Sequence, residues 1–519
     1  MKRALLMFSM MLTGIGTWCQ SYHFGTDVIV HSDTLDQREP VITTAFNGWL
    51  YSAHLVVDSA TNNGGVTIRR SVDRGTTWQL VDQYLVNNIR YEDVDIEVAG
   101  TDTNSLSLYV AGINHNIGNT YVLYVDKYNA TTLSFTNNIF FYDSGSNPIY
   151  DLDMATDYAY PAVGASPYSV GLLFSTYSST YDSILFYSSV DGGVSFGNKQ
   201  VVAVTGNYFR DVSLSYGRSA SASNGRYFGA WELKTSSTAR NAHIYTSRST
   251  SNVISPWITP VCLDSLSSTM INLCRHPKIA AQVNNTDNDS SSLSAVVLVD
   301  RDYNGDATDY DLLGFYNKRA HYTNFWYRLD VNNSGENDIQ PDIVYDIDSG
   351  KFRATYYDST NFRLPYLHND INLVTPSSWT VDTTRYNDTV PTTSAFPRLS
   401  VNRAYGGVSA VWTRRQAGSR GITMFDANYI SLFVGINENN ELVLDISAYP
   451  NPASDYVNVH LVGIENANLQ LLNSNGQVVQ IHNMVTDNQM ISLSELSNGI
   501  YFLKFEHNGR SVTKKIIKN

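Results

Sequence analysis

A chain of 519 residues with a formal net charge of −13 and no offsetting basic cluster is unsuited to nucleic acid or an anionic membrane surface, because like charges repel. Charged residues make up only 16% of it, whereas Tyr alone contributes 35 residues, a composition that suits the half-buried pleated surfaces of an exported, strand-rich protein. The length admits more than one domain.

Lys2 and Arg3 precede an apolar run from Ala4 to Leu12 and then small and polar residues, the layout of a secretory signal. Thr17 and Cys19 fit the positions before the cut, so residues 1–19 read as a signal peptide and Gln20 as the mature N-terminus. Lipid attachment at Cys19 is the alternative, against which Thr17-Trp18 argues. No later stretch approaches the ~18 apolar residues of a membrane span, so no transmembrane segment is expected.

From residue 20 to 436 one strand plan recurs: a polar or Pro-containing lead-in, two strands, a variable loop, a third strand and a turn. Lead-ins fall at Arg38-Glu39-Pro40, Glu92-Asp93-Val94, Tyr160-Pro161-Ala162, Phe209-Arg210-Asp211, His276-Pro277-Lys278, Gln340-Pro341-Asp342 and Phe396-Pro397-Arg398. A spacing of roughly 50–70 residues is that of propeller blades with loop insertions. Seven lead-ins predict seven blades, with six as the alternative, and the segment 26–31 supplies the strand that the last unit lacks. Few helices are expected, because no long 3.6-residue periodicity interrupts the strands.

Two turns close this strand plan with a shared pattern: Ser71-Val72-Asp73-Arg74-Gly75-Thr76-Thr77-Trp78 and Ser189-Val190-Asp191-Gly192-Gly193-Val194-Ser195-Phe196. The Asp carboxylate accepts from backbone N–H groups further on, Gly takes a positive φ, and the aromatic ring wedges between sheets. The pattern resembles the Asp box of sialidases and related β-propellers, which implies a sialidase-like propeller and a structural role for Ser71, Asp73, Gly75, Trp78, Ser189, Asp191, Gly193 and Phe196.

Past the signal only Cys262 and Cys274 remain; an even pair this close in an oxidising compartment predicts a disulfide, with buried thiols as the alternative. Between strands, residues 300–311 place oxygen side chains at alternating positions around Gly305. This resembles an EF-hand-type calcium loop, with Asp300, Asp302, Asn304, Asp306 and Asp311 as ligands of one Ca2+ and Asp311 where Glu is usual. A solvated acidic hairpin without metal is the alternative.

A polar linker at 437–442 leads into a module at 443–519, whose alternating strands and Asn-Gly turns predict a small Ig-like β-sandwich. Tyr449-Pro450-Asn451-Pro452, Asn498-Gly499-Ile500-Tyr501 and the Lys-rich last strand follow in order. The module resembles the type A C-terminal sorting domain of the type IX secretion system of Bacteroidota. This implies passage through the periplasm, the secretion machinery as partner, and a cell-surface or secreted protein.

No Gly-x-Ser-x-Gly, His-Glu-x-x-His or P-loop is present. The sialidase resemblance implies a carboxylate-binding Arg38 completed by Arg275 and Arg398, Asp58 as acid/base, and Glu232 with Tyr357 as the nucleophile pair. The sequence departs from that family at Glu39, an acid beside the supposed carboxylate-binding arginine, and in its seven blades. On the alternative reading these are rim residues in local ion pairs. The combined expectation is an exported propeller that binds an extracellular ligand, glycan or protein, with sialidase-type exo-glycoside hydrolysis as the alternative.

Overall fold

The computed structural model describes residues 24–519 except 32, 59, 62, 117, 158–168, 219–224, 265–272, 284–292, 303–304, 306–308, 333–334, 371–378, 389–394, 403, 416–419, 430–445, 462–466, 485–487 and 508–509. The signal peptide at 1–19, the linker at 437–442, the Tyr160-Pro161-Ala162 lead-in, Asn304 and Asp306 lie outside the described residues. The chain divides into two units, Met1–Leu432 and Phe433–Asn519.

The first unit contains seven four-stranded antiparallel sheets. Their innermost strands are Asp36–Thr44, Ile89–Ala99, Ile149–Thr156, Tyr208–Gly217, Cys274–Ala281, Asp338–Asp346 and Arg398–Val401, which begin blades 1 to 7. Each innermost strand packs against the next, and that of blade 7 against that of blade 1, so the ring is closed. Val28–Ile29 supplies the outermost strand of blade 7, with Val28 opposite Phe425 and Ile29 opposite Met424. Blade 3 begins at Ile149, so its lead-in is Tyr150-Asp151-Leu152 and not the expected Tyr160-Pro161-Ala162.

Alternation in the middle strands buries both faces, because each blade lies between two others; Leu50–Asp58 and Val170–Ser178 are buried over most of their length. Aromatic and branched side chains fill the inter-blade spaces, as where Tyr109, Leu152, Leu172 and Phe174 meet between blades 2 and 3.

The two Ser-x-Asp-x-Gly turns join third to fourth strands. In the first, Asp73 Oδ1 accepts from Ser71 Oγ at 2.8 Å and Thr77 N at 2.9 Å, and Gly75 N donates to Ser71 Oγ at 2.9 Å. The second repeats this with Ser189, Asp191, Gly193 and Ser195. Trp78 meets the Phe425 ring of blade 7 edge-on at 5.3 Å, and Phe196 lies 5.5 Å from Phe140 of blade 2, so each turn locks its blade to the preceding one.

In the second unit a three-stranded and a four-stranded sheet share a core that includes Val457, Leu469, Leu503 and Ile516. Asn451 of the opening motif clamps the last strand: its side chain donates to Lys515 O at 2.8 Å and accepts from Ile517 N at 2.9 Å.

Gly75, at φ 90°, lies so close under blade 7 that a Cβ there would be 1.9 Å from Phe425 Cε1. Gly350 has φ 66° but open space around it. Gly75→Ala should therefore destabilise the propeller by ~1–3 kcal/mol through overpacking on top of backbone strain, and Gly350→Ala by the strain alone. Thermal denaturation of both variants checks this; equal losses would mean that the contact with Phe425 is unimportant.

Candidate functional site

Each of the first six innermost strands carries a register shift close to its start: between Arg38 and Val41, Tyr91 and Asp93, Ile149 and Leu152, Arg210 and Ser213, Arg275 and Lys278, and Ile339 and Asp342. These are β-bulges, which re-aim side chains and bend the strand. Five lead-in residues have positive φ: Glu39 (47°), Asp211 (48°), His276 (50°), Gln340 (55°) and Phe396 (45°). Four of them precede Pro, where extended backbone is the norm. Such local strain costs of order 1–3 kcal/mol per residue. All five line one cavity of about 340 Å³ at this end of the ring, with Asp93, Tyr150, Asp151, Lys278 and Arg398.

Blades 4 and 5 build the most charged wall of this funnel. Glu232 is fully buried; its Oε1 accepts from His276 N at 2.7 Å and its Oε2 lies 3.0 Å from Lys234 Nζ. His276 Nδ1 lies 2.8 Å from Asp300 Oδ1, and its Nε2 3.8 Å from Asp211 Oδ2. Asp211 N donates to Asp151 Oδ2 at 3.0 Å. The side chains of His276 and Asp211 are each about one-third exposed, at 32% and 36%, so these two can touch a ligand while Glu232 and Asp300 hold them from behind.

Burial pulls the His276 pKa down, but Asp300, Asp211 and Glu232 outweigh it and raise it to about 9, so the ring is an imidazolium at neutral pH. Burial and the Asp211 charge push Glu232 up to about 8. Burial also pushes on Asp211, yet His276 and a hydrogen bond from Glu232 bring it below the ordinary carboxylate range. The two carboxyls titrate as a pair, with the proton on Glu232 and the charge on Asp211. Across the funnel, burial raises Glu39 to about 7 and Asp151 to about 6, the latter also through Asp211. Desolvation opposes the charge on Arg398, but Asp342, Asp153, Asp95 and Asp93 prevail and raise its pKa.

The set implied by the sialidase resemblance is not brought together. Arg38 is half exposed and pairs with Asp36 at 2.8 Å. Arg275 pairs with Asp300 at 2.5 Å and covers the Tyr310 ring. Of the three arginines, only Arg398 lines the funnel, 3.6 Å from Asp342. Asp58 is at an exposed hairpin, where it accepts from Ala60 N and Thr61 Oγ1; these bonds lower its pKa, the opposite of what a general acid needs. Tyr357 is fully buried in the core between blades 6 and 7 with Leu364, Tyr366 and Trp412, and burial raises its pKa to about 12. Glu232 lies beneath His276 and does not itself line the funnel. Asp211 and His276 were legible as the residues one position after Arg210 and Arg275; strand alternation sends neighbours to opposite faces.

The loop at 300–311 is described only in part, and the cysteines differ from expectation. Asp300 is turned toward Arg275 and His276, while Asp302 accepts from Gly305 N at 2.7 Å and from Asn241 Nδ2 at 3.1 Å. Among the described residues, Asp300, Asp302 and Asp311 do not converge as a three-ligand group. The expected Cys262–Cys274 disulfide is not formed. Cys274 faces the core between blades 4 and 5, and the Cys262 thiol donates to Asp264 Oδ1 at 3.1 Å.

Residues 447–519 match the family described as the secretion system C-terminal sorting domain, so the second unit is a type IX sorting domain and the chain is exported to the cell surface or beyond. A curated relative, β-agarase A of Zobellia galactanivorans, is 32% identical over 123 residues, which cover 23% of this chain and 22% of the relative. The chain thus aligns with only about a fifth of that relative's length. Among solved structures, an α-L-arabinofuranosidase of Fusarium graminearum is 10% identical with a TM-score of 0.45, covering 78% of this chain and 98% of that one. A Trypanosoma rangeli sialidase is 10% identical with a TM-score of 0.39, covering 95% and 86%. At these values neither carries an argument about chemistry.

Deeper in the channel, burial and Asp153 raise Glu97 to about 8. An unfolded Glu loses its proton near its ordinary pKa of ~4.3, so between there and about 8 the folded state holds a proton that the unfolded state releases. Stability from this group is full below that window and is lost as pH rises through it. Glu97→Gln keeps an oxygen for the Thr43 and Thr156 hydroxyls. It should raise the Tm by a few degrees above pH 8 and change it little near pH 5. The same shift at both pH values would contradict the protonated state of Glu97.

Proposed function

We propose that the propeller binds an extracellular glycan in the funnel at the bulged ends of its innermost strands. The observation that carries this reading is the convergence of an imidazolium (His276), an ionised carboxylate (Asp211) and a guanidinium (Arg398) on one cavity of about 340 Å³. That volume is in the ~300–1,000 Å³ range of small-ligand pockets. Hydroxyl-rich sugars need both donors and acceptors at fixed positions, and this wall offers both. Tyr150, held under the Arg210 guanidinium at 3.3 Å, and Phe396 at the mouth add flat apolar surface for sugar rings.

Exo-glycoside hydrolysis is a second reading, favoured by one observation. A protonated group, the His276 imidazolium, adjoins an ionised carboxylate, Asp211, and both line the cavity, so one can give a proton and the other take one. Here Asp211 and His276 face the sugar, and Glu232 positions His276 and sets the charge on Asp211.

A glycan array with the full exported chain should identify an oligosaccharide class, and calorimetry with the best binder should give its affinity. Asp211→Asn and His276→Gln should each weaken binding by ~10- to 100-fold, from the 1.5–3 kcal/mol of a hydrogen bond to a charged group. Arg38→Ala and Asp58→Ala should leave it unchanged. The reverse pattern would sink the funnel reading in favour of the sialidase-type set. Release of reducing sugar from the same oligosaccharide, lost in Asp211→Asn and kept in Arg38→Ala, would establish hydrolysis.

A further inference from the structure

Blade 4 differs from its neighbours at its rim. Its outermost strand, Val261–Cys262, pairs with the third strand, His243–Arg248, through only two residues, Cys262 opposite Tyr245 and Val261 opposite Thr246. Its two neighbours, blades 3 and 5, have strands of nine and six residues in this place, Gly197–Thr205 and Tyr327–Asn332. Where the ladder is this short, three side chains of different chemistry meet: His243, Cys262 and Asp264.

Their donor atoms are close. Cys262 Sγ lies 3.1 Å from Asp264 Oδ1 and 4.0 Å from His243 Nδ1, and His243 Nδ1 lies 3.4 Å from the same Oδ1. A tetrahedral zinc ion with bonds of about 2.0–2.1 Å to nitrogen, 2.0–2.2 Å to oxygen and 2.3 Å to sulfur sets donor–donor edges of about 3.3–3.7 Å. The three observed separations straddle that range, so a small inward shift seats an ion.

The aspartate supplies the second, independent observation. Its side chain is fully buried, yet Oδ2 makes no aligned hydrogen bond, having beside it only the His243 ring nitrogen of the same cluster at 3.3 Å. Burying a carboxylate oxygen in this way is costly without a compensating charge. Oδ1 also accepts from Ile244 N at 3.3 Å, which holds the carboxylate against the cluster, as outer-shell bonds do for metal ligands. His243 and Cys262 are both partly exposed, so an ion has a path in from solvent.

We propose that His243, Cys262 and Asp264 form a zinc site that ties the short outer strand of blade 4 to its third strand. One imidazole nitrogen, one thiolate sulfur and one carboxylate oxygen suit a borderline ion such as Zn2+ and not the all-oxygen preference of Ca2+ or Mg2+. Three protein ligands leave a fourth position for water. Binding deprotonates the Cys262 thiol, and the proton goes to solvent.

The test uses the full chain, stripped with chelator under reducing conditions and desalted. Titration with Zn2+ should saturate at about one equivalent per chain and raise the Tm, by preferential binding to the folded state. Co2+ in its place should give a thiolate-to-metal charge-transfer absorption. Cys262→Ser should abolish that absorption, and His243→Gln should weaken metal binding by at least ~10-fold, the lower bound seen even for outer-shell partners. If Cys262→Ser fails to fold, the His243→Gln titration and the Co2+ spectrum of the unmodified chain still decide. Absence of the Co2+ absorption, Zn2+ uptake unchanged in His243→Gln, or mass-spectrometric detection of a Cys262–Cys274 disulfide in the exported chain would each overturn the proposal.

Discussion

The innermost strand of every blade has one edge with no partner strand, and its N–H groups must still be satisfied at the centre of the ring. In blades 3, 4, 5 and 7 side chains of the preceding blade do this. Asp93 and Asp95 of blade 2 accept from Leu152 N and Met154 N of blade 3 at 2.8 and 2.7 Å. Asp151 and Asp153 accept from Asp211 N and Leu214 N of blade 4 at 3.0 and 2.8 Å. Ser213 and Ser215 serve Ile279 N and Ala281 N of blade 5, and Asp342 serves Leu399 N of blade 7 at 2.7 Å. The side chains alternate along the strand, so every second residue faces the axis, and the caps follow the same two-residue period. The propeller thus has a carboxylate-rich channel for a structural reason, and its burial is what raises the pKa values of Asp93, Asp95 and Glu97.

The binding face grows out of this arrangement. At the bulge the two-residue period is broken once, and the residue with positive φ turns toward the mouth of the funnel in place of joining the ladder. In blade 4 that residue is Asp211, whose own N–H is capped by Asp151. In blade 5 it is His276, whose N–H is capped by Glu232. The groups best placed to meet a ligand are therefore held by the same kind of bond that closes the ring. A carboxylate in the channel is a cap first; it becomes a site residue only where the bulge exposes it.

Much of this was legible from the sequence. The lead-ins located six of the seven innermost strands, and the segment at 26–31 contains the strand that closes blade 7. The blade 3 lead-in was missed because Tyr160-Pro161-Ala162, ten residues on, offers the Pro-containing pattern, although Asp151-Leu152-Asp153 repeats the Asp93-Val94-Asp95 pattern of blade 2. The site residues were missed by one position, because Arg38 and Arg275 attract attention as carboxylate binders while strand alternation gives the funnel to Glu39 and His276. Tyr357 and Glu232 occupy matching positions, opposite Ile339 and Arg210, but only the blade 4 position reaches a bulge amide; the other fills an aromatic core. Cys262 and Cys274 are close in sequence, yet one lies at the rim of blade 4 and the other in the innermost strand of blade 5. Such non-local placements depend on which blade face each side chain meets, and no local pattern encodes that.

Amide hydrogen exchange tests the central claim, that side-chain carboxylates of one blade cap the inner edge of the next. In the unmodified chain Leu152, Met154 and Leu214 N–H should exchange slowly although no strand pairs with that edge. Asp95→Ala should speed exchange at Met154 by ~2- to 10-fold, as loss of a hydrogen bond worth ~0.5–1.5 kcal/mol requires, and leave Ala281 in blade 5, which Ser215 caps, unchanged. Fast exchange at all three amides in the unmodified chain, or unaltered protection of Met154 in Asp95→Ala, would contradict it.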